Sequence, residues 1–238
     1  MALATFAVTA ALVGWLLWQS GTAPEPVPDF STLSAGEPRK TAFLGYLKPI
    51  IEAQNAQRLL TRRRLARLHA DALNNRDSAW LRGLAARYGV DPDQDAADLI
   101  AALLVRVDAI PVSLALAQAA KESGWGTSRF ATEGNNYFGE RCWEAGCGLV
   151  PEARSQNNRF EVRSFESVEA SVSSYIRNIN THPDYEAFRR YRAQLRSRDE
   201  LLSGTAMAEL LSPYSERREA YSKDLRNMIE HNRLDDPQ

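Results

Sequence analysis

Apolar residues recur three or four positions apart through the first half of the chain. This spacing gathers them on one face of a helix, so we predict helices over residues 39–59, 59–73, 78–88 and 96–107. Pro49 interrupts the first segment and is expected to kink it or to split it into two pieces. These segments contain no group of residues with recognisable chemistry, and we expect them to form a packed scaffold.

The pattern changes after residue 148. Two short runs, residues 149–154 and 159–165, flank a polar stretch, and the second run alternates between apolar and polar side chains. Alternation of this kind predicts a β-hairpin. From Ser167, a helix-capping residue, the helical spacing returns, and the last three predicted helices cover residues 185–194, 199–211 and 216–232.

The N-terminal segment, residues 2–18, is uncharged and carries Trp15 and Trp18 near its end. A helix of this length reaches roughly 26 Å, which is close to the hydrocarbon thickness of a bilayer. We predict a transmembrane anchor or signal segment over residues 1–21, and we favour the uncleaved anchor. Residues 22–38 are rich in proline and are predicted to form an extended linker, which leaves residues 39–238 as the folded domain.

The composition is that of an ordinary globular protein, with 44% hydrophobic and 25% charged residues. The net charge of −1 gives no electrostatic case for a nucleic-acid partner. The three histidines have no metal-ligand spacing, so neither a metal nor another cofactor is predicted. Five arginines cluster where the first two predicted helices meet: Arg58, Arg62, Arg63, Arg64 and Arg67. They indicate either a solvated, ion-paired surface or a site for an anionic partner.

The two cysteines, Cys142 and Cys147, lie close together in the chain. Without further Cys or His partners they make a poor zinc site, and their spacing differs from that of thioredoxin-type redox motifs. We therefore favour a disulfide that closes a small loop at the base of the predicted hairpin. This pairing requires that the chain leaves the cytoplasm, as the N-terminal segment predicts.

The most informative stretch covers residues 110–139. Pro111 suits the first turn of a helix, and at helical spacing Leu114, Gln118 and Glu122 fall on one stripe. The glycines after residue 123 end this helix, so Glu122 lies in its last turn, where the helix dipole opposes an ionised carboxylate. A partly desolvated carboxyl at this position is expected to have a raised pKa, as a general acid requires. The alternative is a solvated surface carboxylate.

Two motifs in this stretch resemble a known family. The first reads AQAAKESGWGTS and the second GNNYFG, and together they resemble the signature of bacterial endo-β-N-acetylglucosaminidases of the lysozyme-like superfamily. The variant NNYFGERCW, followed by GCGLVP, resembles the Bax-type branch of that family, glycoside hydrolase family 73. The resemblance implies a mostly α-helical, lysozyme-like domain with a small β-hairpin lobe. It also implies hydrolysis of the bond after N-acetylglucosamine in peptidoglycan, with Glu122 as the catalytic acid.

A second catalytic carboxylate is expected on the opposite wall of the cleft, in or near the hairpin. The candidates are Glu140, Glu144, Glu152 and Glu161, and the family's usual position favours Glu152, with Glu161 as the alternative. The sequence around Glu152 departs from the pattern of the flagellar enzymes. Substrate assistance, in which the N-acetyl group attacks, is the remaining route and needs no second carboxylate.

The other predicted site residues are aromatic or carry amides. Tyr214 follows a proline in a loop, and its two interpretations are a site role and a buried, hydrogen-bonded position in the core. Trp125 also has the alternative of simple packing at the end of the helix. The predicted glycan contacts are Gln118, Trp125, Asn136, Tyr137 and Trp143.

These features predict an exported protein that is tethered to the outer face of the inner membrane and binds peptidoglycan glycan strands. Three alternatives stay open. A lytic transglycosylase would share the fold and the single glutamate but would release an anhydro-sugar. A non-catalytic envelope protein would bind glycan without cleaving it. Cleavage of N-glycans on glycoproteins is the third alternative, for which no residue argues specifically.

Overall fold

The computed structural model of the protein describes residues 26–152 and 159–235. It is mostly helical, with one small sheet. The α-helices are α1 (Glu37–Leu65), α2 (Asn75–Arg87), α3 (Ala96–Arg106), α4 (Val112–Ser123), α5 (Arg129–Gly134), α6 (Val168–Thr181), α7 (Glu186–Ser197), α8 (Gly204–Met207) and α9 (Glu219–His231). Short 3-10 helices cover Phe30–Thr32, Ala70–Ala72, Pro183–Tyr185 and Ala208–Tyr214.

Helix α4 lies at the centre of the main core. Its residues from Ser113 to Ala120 are all buried, and it packs against α1, α8 and α9. The alanines of α4 have small side chains, so neighbouring helices can approach its backbone closely. The approach is closest at Gly204, where a Cβ atom would lie 2.2 Å from Oγ of Ser113. The prediction of this helix and of its end at Gly124 is confirmed, and Gly124 has the left-handed conformation.

Helix α1 runs without a break through Pro49, so the prediction of two pieces is wrong. Proline removes one backbone hydrogen bond and crowds the carbonyl group four residues earlier. That earlier residue is Gly45, which is exposed together with Pro49, so its carbonyl group can be hydrated. Further along, Asn55 fixes α1 to the start of α4, because its amide donates to the carbonyl oxygen of Ile110 (2.8 Å) and accepts from the Ile110 amide (3.0 Å).

The predicted linker is shorter than the sequence indicated. Phe30 is buried in the main core, where its ring packs at 5.5 Å from that of Phe43. The ring also covers Gly126, at which a Cβ atom would lie 2.4 Å from Phe30. The linker assignment over residues 22–38 is therefore wrong from Phe30 onward. Burial of the Phe30 ring stabilises the contact between this segment and the domain, and the proline content of the segment did not indicate that contact.

A second, smaller core joins the end of α1 to α2 and α3 through leucines: Leu65, Leu81, Leu84, Leu99 and Leu103. Where the two cores meet, the side chain of Asp108 is almost fully buried. Its carboxylate receives two hydrogen bonds from Arg196, at 3.1 and 2.9 Å, and lies 3.8 Å from Nε of Arg192 and 3.7 Å from Nε of Arg62. This ionic cluster holds the segment that leads into α4.

The sheet has three short strands, β1 (Arg141–Cys142), β2 (Gly148–Leu149) and β3 (Glu161–Arg163), in the order β1-β3-β2. The antiparallel β2–β3 pair is the predicted hairpin, whose connection includes residues 153–158 outside the described ranges. Strand β1 adds an edge that the sequence did not predict. The predicted Cys142–Cys147 disulfide is present and joins β1 to the residue before β2.

The C-terminal helices follow the predicted order with different bounds. The segment predicted as one helix over residues 199–211 is a single α-helical turn, α8, followed by a 3-10 helix with Pro213 inside it. Within the described ranges no helix is long and apolar enough to cross a membrane. The predicted anchor or signal segment, residues 1–21, lies outside those ranges, and so do residues 22–25 of the predicted linker.

Candidate active site

A cleft of about 700 Å³ opens beside the C-terminal end of α4. One wall comes from the loop after α5 and from β1, and the other comes from the end of α6 and the segment that precedes α9. Glu122 lies between them. The lining residues are Glu122, Gly139, Glu140, Arg141, Trp143, Asn178, His182, Tyr185, Pro213, Tyr214, Ser215, Glu216 and Arg217.

Glu122 is half-buried in the last turn of α4, which ends at Gly124 in the left-handed conformation. Burial raises the pKa of the Glu122 carboxyl, because the charged form loses hydration. The hydroxyl of Tyr221 and the charges of Lys121 and Arg141 act in the opposite direction, but the pKa stays raised. The carboxyl is therefore protonated to a higher pH than an exposed glutamate, as a general acid requires.

Gly139 lies directly against this carboxyl. A Cβ atom at Gly139 would be 3.3 Å from Oε2 of Glu122, and the residue has a φ angle of +67°, which favours glycine. The loop that carries Gly139 is fixed by Asn136, whose amide group donates to the carbonyl oxygens of Glu140 (2.9 Å) and Arg163 (2.8 Å). Asn136 also accepts a hydrogen bond from the Glu140 amide at 3.1 Å.

Replacing Gly139 with Ala is expected to lower kcat/KM for glycan cleavage about tenfold or more, since the added methyl group displaces the Glu122 carboxyl. Gly146→Ala is the matched control. Gly146 also has a positive φ angle, +80°, but nothing lies within 4 Å of its Cβ position. Both variants are expected to lose about 1–2 kcal/mol of stability from the positive φ angle. Equal kcat/KM values for the two variants would show that the contact with Glu122 has no consequence for activity.

The structure places only one of the five predicted glycan contacts in the cleft. Trp143 lines it and is 73% exposed. Gln118, Asn136 and Tyr137 are buried, so the prediction of direct substrate contact is wrong for these three. Their side chains are enclosed by the rest of the domain and are not among the residues that line the cleft. Trp125 packs edge-on against Phe43 and is absent from the cleft lining, in agreement with its packing alternative.

The candidate second carboxylates lie in different environments. Glu152, which the sequence favoured, is exposed and is not among the residues that line the cleft. Glu161 is buried, and its two carboxyl oxygens accept hydrogen bonds from the amides of Gly146 (3.1 Å) and Gly148 (2.8 Å). It thus holds the disulfide loop and is not among the residues that line the cleft.

Glu140 is the one sequence candidate for the second carboxylate that lines the cleft with Glu122, and Glu216 is the other carboxylic acid in the lining. Its Oε2 accepts a hydrogen bond from Oγ of Ser174 at 2.9 Å, whereas its Oε1 is buried without a hydrogen-bond partner among the described residues. Burial raises the pKa of this carboxyl as well. The sequence included Glu140 among the candidates but ranked it lower. Its place directly after the NNYFG motif was the signal that could have identified it.

Tyr214 combines its two predicted interpretations. Its ring lines the cleft, and its hydroxyl donates to the carbonyl oxygen of Phe138 at 2.6 Å. The ring stacks on Tyr221, with centroids 5.7 Å apart. Sequence reasoning did not assign Arg141, Tyr185 or Arg217 to the site. These residues come from elements far apart in the chain, so no local motif marked them.

One group of acidic and sulfur side chains lies close together beside strand β1. In the described part of the chain, the side chains grouped closely enough to hold a metal are Cys142, Cys147 and Glu161. The two sulfur atoms are bonded to each other, and the carboxyl oxygens of Glu161 accept backbone hydrogen bonds. A disulfide provides no thiolate ligand, so this group does not fit a metal ion.

A half-buried carboxylic acid with a raised pKa, in a cleft with a second acid and aromatic walls, has the features of a glycan hydrolase site. A family model described as mannosyl-glycoprotein endo-beta-N-acetylglucosaminidase matches residues 97–234, and the chain belongs to this glucosaminidase family. It is 38% identical over 208 residues to Protein bax of Escherichia coli (strain K12), across 87% of this chain and 74% of that protein. The predicted resemblance to Bax-type glucosaminidases is thereby confirmed. No solved structure matches the chain.

Proposed function

We propose that the protein hydrolyses the β-glycosidic bond after N-acetylglucosamine in peptidoglycan and that Glu122 is the general acid. The position of Glu122 carries this proposal. Its carboxyl has a raised pKa because of burial, and it lines a cleft of about 700 Å³. The membership in the glucosaminidase family supports the same class of reaction.

In the proposed reaction, the Glu122 carboxyl donates its proton to the glycosidic oxygen as the bond between that oxygen and the anomeric carbon breaks. A water molecule forms the new bond to the anomeric carbon and gives up a proton. Positive charge develops on the sugar ring between these events, and a carboxylate on the cleft wall stabilises it. Trp143 offers a ring face on which the apolar side of a sugar can pack.

Among the four sequence candidates, Glu140 is the better one for this second carboxylate, because of these four it alone lines the cleft together with Glu122. Ionised Glu140 would stabilise the positive charge and accept the proton of the attacking water. Glu152 and Glu161 stay less suitable: the first lies outside the cleft lining, and the second is engaged by two backbone amides.

The Glu140→Gln variant is expected to lose about 10²-fold in kcat/KM, a loss typical of removing a positioned acid or base. Glu152→Gln, at an exposed glutamate outside the cleft lining, is the matched control and is expected to stay within about twofold of the unmodified protein. Steady-state rates on soluble peptidoglycan fragments measure both. Near-normal activity of Glu140→Gln would instead favour substrate assistance, and a selective loss in Glu152→Gln would restore the sequence-based assignment.

We also propose that the protein works in the cell envelope, outside the cytoplasm. The Cys142–Cys147 disulfide supports this location, because such bonds persist in oxidising compartments. The uncharged segment over residues 2–18 supports either an inner-membrane anchor or an export signal. Fractionation of cells that produce the full chain tests both alternatives, since an anchor keeps the intact chain in the inner-membrane fraction.

Product analysis tests the proposed function. Purified cell wall is digested with the protein, and the new chain ends are identified by mass spectrometry. Reducing-end N-acetylglucosamine is the expected product. Anhydromuramic ends would identify a lytic transglycosylase, and the absence of new ends together with binding to the wall would identify a glycan-binding protein. Release of N-glycans from a mannosyl glycoprotein, without cleavage of the wall, would shift the substrate class to the one in the family description.

A further inference from the structure

We propose that Tyr221 is a positioning residue for Glu122 and that a buried chain of hydrogen bonds through Gln118 and Tyr175 directs its hydroxyl proton at the Glu122 carboxyl. This chain determines which carboxyl oxygen of Glu122 carries the proton that is transferred. The inference rests on the proposed role of Glu122 as the general acid, and it assigns a function to Gln118 and Tyr221 that their sequence context does not indicate.

The chain connects three helices. The hydroxyl of Tyr175, on α6, donates to Oε1 of Gln118 on α4 at 2.5 Å. Nε2 of Gln118 donates in turn to the hydroxyl oxygen of Tyr221 on α9 at 3.0 Å. The Tyr221 hydroxyl lies next to the Glu122 carboxyl and lowers its pKa. All three residues before Glu122 are buried, with exposures of 0% for Gln118 and Tyr175 and 2% for Tyr221.

The orientation of the Gln118 amide sets the direction of the chain. A side-chain amide has one acceptor oxygen and one donor nitrogen. Because Tyr175 donates to the oxygen of Gln118, the nitrogen faces Tyr221 and donates to it. The hydroxyl of Tyr221 has a single proton, and this proton is then directed to Glu122. The reverse orientation of the amide would draw the Tyr221 proton away from Glu122.

The direction of the chain has a consequence for the acid. A carboxyl oxygen that accepts the Tyr221 proton is the carbonyl oxygen of the protonated acid, so the acidic proton lies on the other oxygen. A proton that is confined to one oxygen needs no reorientation before its transfer to the glycosidic oxygen. Tyr221 thereby places the proton without contacting the substrate.

Ring packing holds the two tyrosines in place. The ring of Tyr221 stacks on Tyr214, and Nζ of Lys121 lies 5.7 Å from its centroid. Lys121 is itself fixed by an ion pair with Asp224 at 2.9 Å. The ring of Tyr175 stacks on Phe138, with centroids 4.0 Å apart and an angle of 8° between the planes. Each hydroxyl thus has little freedom to turn toward another partner.

The sign of the expected pH effect follows from the groups around Glu122. Tyr221 on α9 and the charges of Lys121 and Arg141 lower the pKa of Glu122, and Tyr214 and Glu140 line the same cleft. Removing the Tyr221 hydroxyl removes a donor that stabilises the carboxylate, so the pKa of Glu122 rises. Because the protonated form is the active one, the alkaline limb of kcat/KM moves to higher pH.

The test compares pH profiles of kcat/KM for the unmodified protein, Tyr221→Phe and Gln118→Leu. Tyr221→Phe is expected to move the alkaline limb upward by about one pH unit, since a hydrogen bond to a charged group has that effect. Its kcat is expected to fall about tenfold with little change in KM, because the lost interaction orients the acid and does not contact substrate. Gln118→Leu is expected to move the limb in the same direction by a smaller amount.

Tyr191→Phe is the matched control. Tyr191 is a half-buried tyrosine on α7 that packs against the main core outside the cleft, so its profile is expected to match that of the unmodified protein. A Tyr221→Phe variant with a lower Tm but an unmoved alkaline limb would overturn the proposal, as would a limb that moves downward.

If the unmodified protein cleaves no glycan, the proposed function fails. The pKa of Glu122, measured by NMR in the unmodified protein and in Tyr221→Phe, then decides the positioning role separately.

Discussion

The Glu122→Gln variant is expected to lose about 10³-fold in kcat/KM on peptidoglycan fragments, within the range that general acid catalysis contributes. Glutamine has nearly the same shape as glutamic acid and keeps an oxygen that can accept from the Tyr221 hydroxyl. It has no acidic proton for the glycosidic oxygen. The loss is therefore expected in kcat, while KM and the free energy of unfolding change little.

Glu133→Gln is the control for this experiment. Glu133 lies on α5, is exposed and forms a surface ion pair with Arg129, with 3.8 Å between the charged atoms. Steady-state rates for the unmodified protein and both variants, together with their unfolding curves, separate a catalytic loss from a folding defect. Activity of Glu122→Gln equal to that of Glu133→Gln would remove Glu122 from the reaction.

The second large effect concerns stability. The Asp108→Asn variant is expected to lower the free energy of unfolding by about 3–5 kcal/mol, because it leaves a buried cation without its partner. Arg192 is fully buried, and burial lowers its pKa to about 10. Its guanidinium donates to the carbonyl oxygens of Ala109 (2.9 Å) and Val105 (3.1 Å), but Asp108 is the anion that balances its charge. Arg196 loses its two hydrogen bonds to the same carboxylate.

Urea unfolding measures this loss against Glu186→Gln. Glu186 forms an exposed ion pair with Arg190 one helical turn away, and pairs of this kind contribute about 0.3–0.5 kcal/mol. If Asp108→Asn unfolds at the same urea concentration as Glu186→Gln, the buried cluster has no net stabilising effect on the segment that leads into α4.

The parts of the fold that the sequence predicted are those with local signals. Helix α4 has a proline at its start, a glycine after its end and a family motif between them, so both its bounds and Glu122 could be identified. The helices before it follow from apolar spacing alone. The disulfide was predictable because the two cysteines of the chain are five residues apart.

The parts that the sequence could not predict depend on contacts between distant residues. Gln118 falls on the same helical stripe as Glu122, but α4 is covered on every side, so the stripe did not show which residues face the cleft. Tyr221 reaches Gln118 from 103 residues away, and no local pattern marks such a contact. The strands have two or three residues each, and Glu140 and Glu152 lie outside them, so alternation could not show which of Glu140, Glu152 and Glu161 points into the cleft.

Ionisation of Glu122 is the property on which the proposed proton transfer depends most directly. The protein labelled with 13C at the glutamate carboxyl carbons is titrated by NMR, and the Glu122 signal is assigned by its absence in Glu122→Gln. The predicted result is a titration midpoint above that of an ordinary glutamate, because burial outweighs the hydroxyl of Tyr221 and the nearby cations. A midpoint at or below the ordinary value would contradict it, since Glu122 would then be ionised at neutral pH and could not donate the proton.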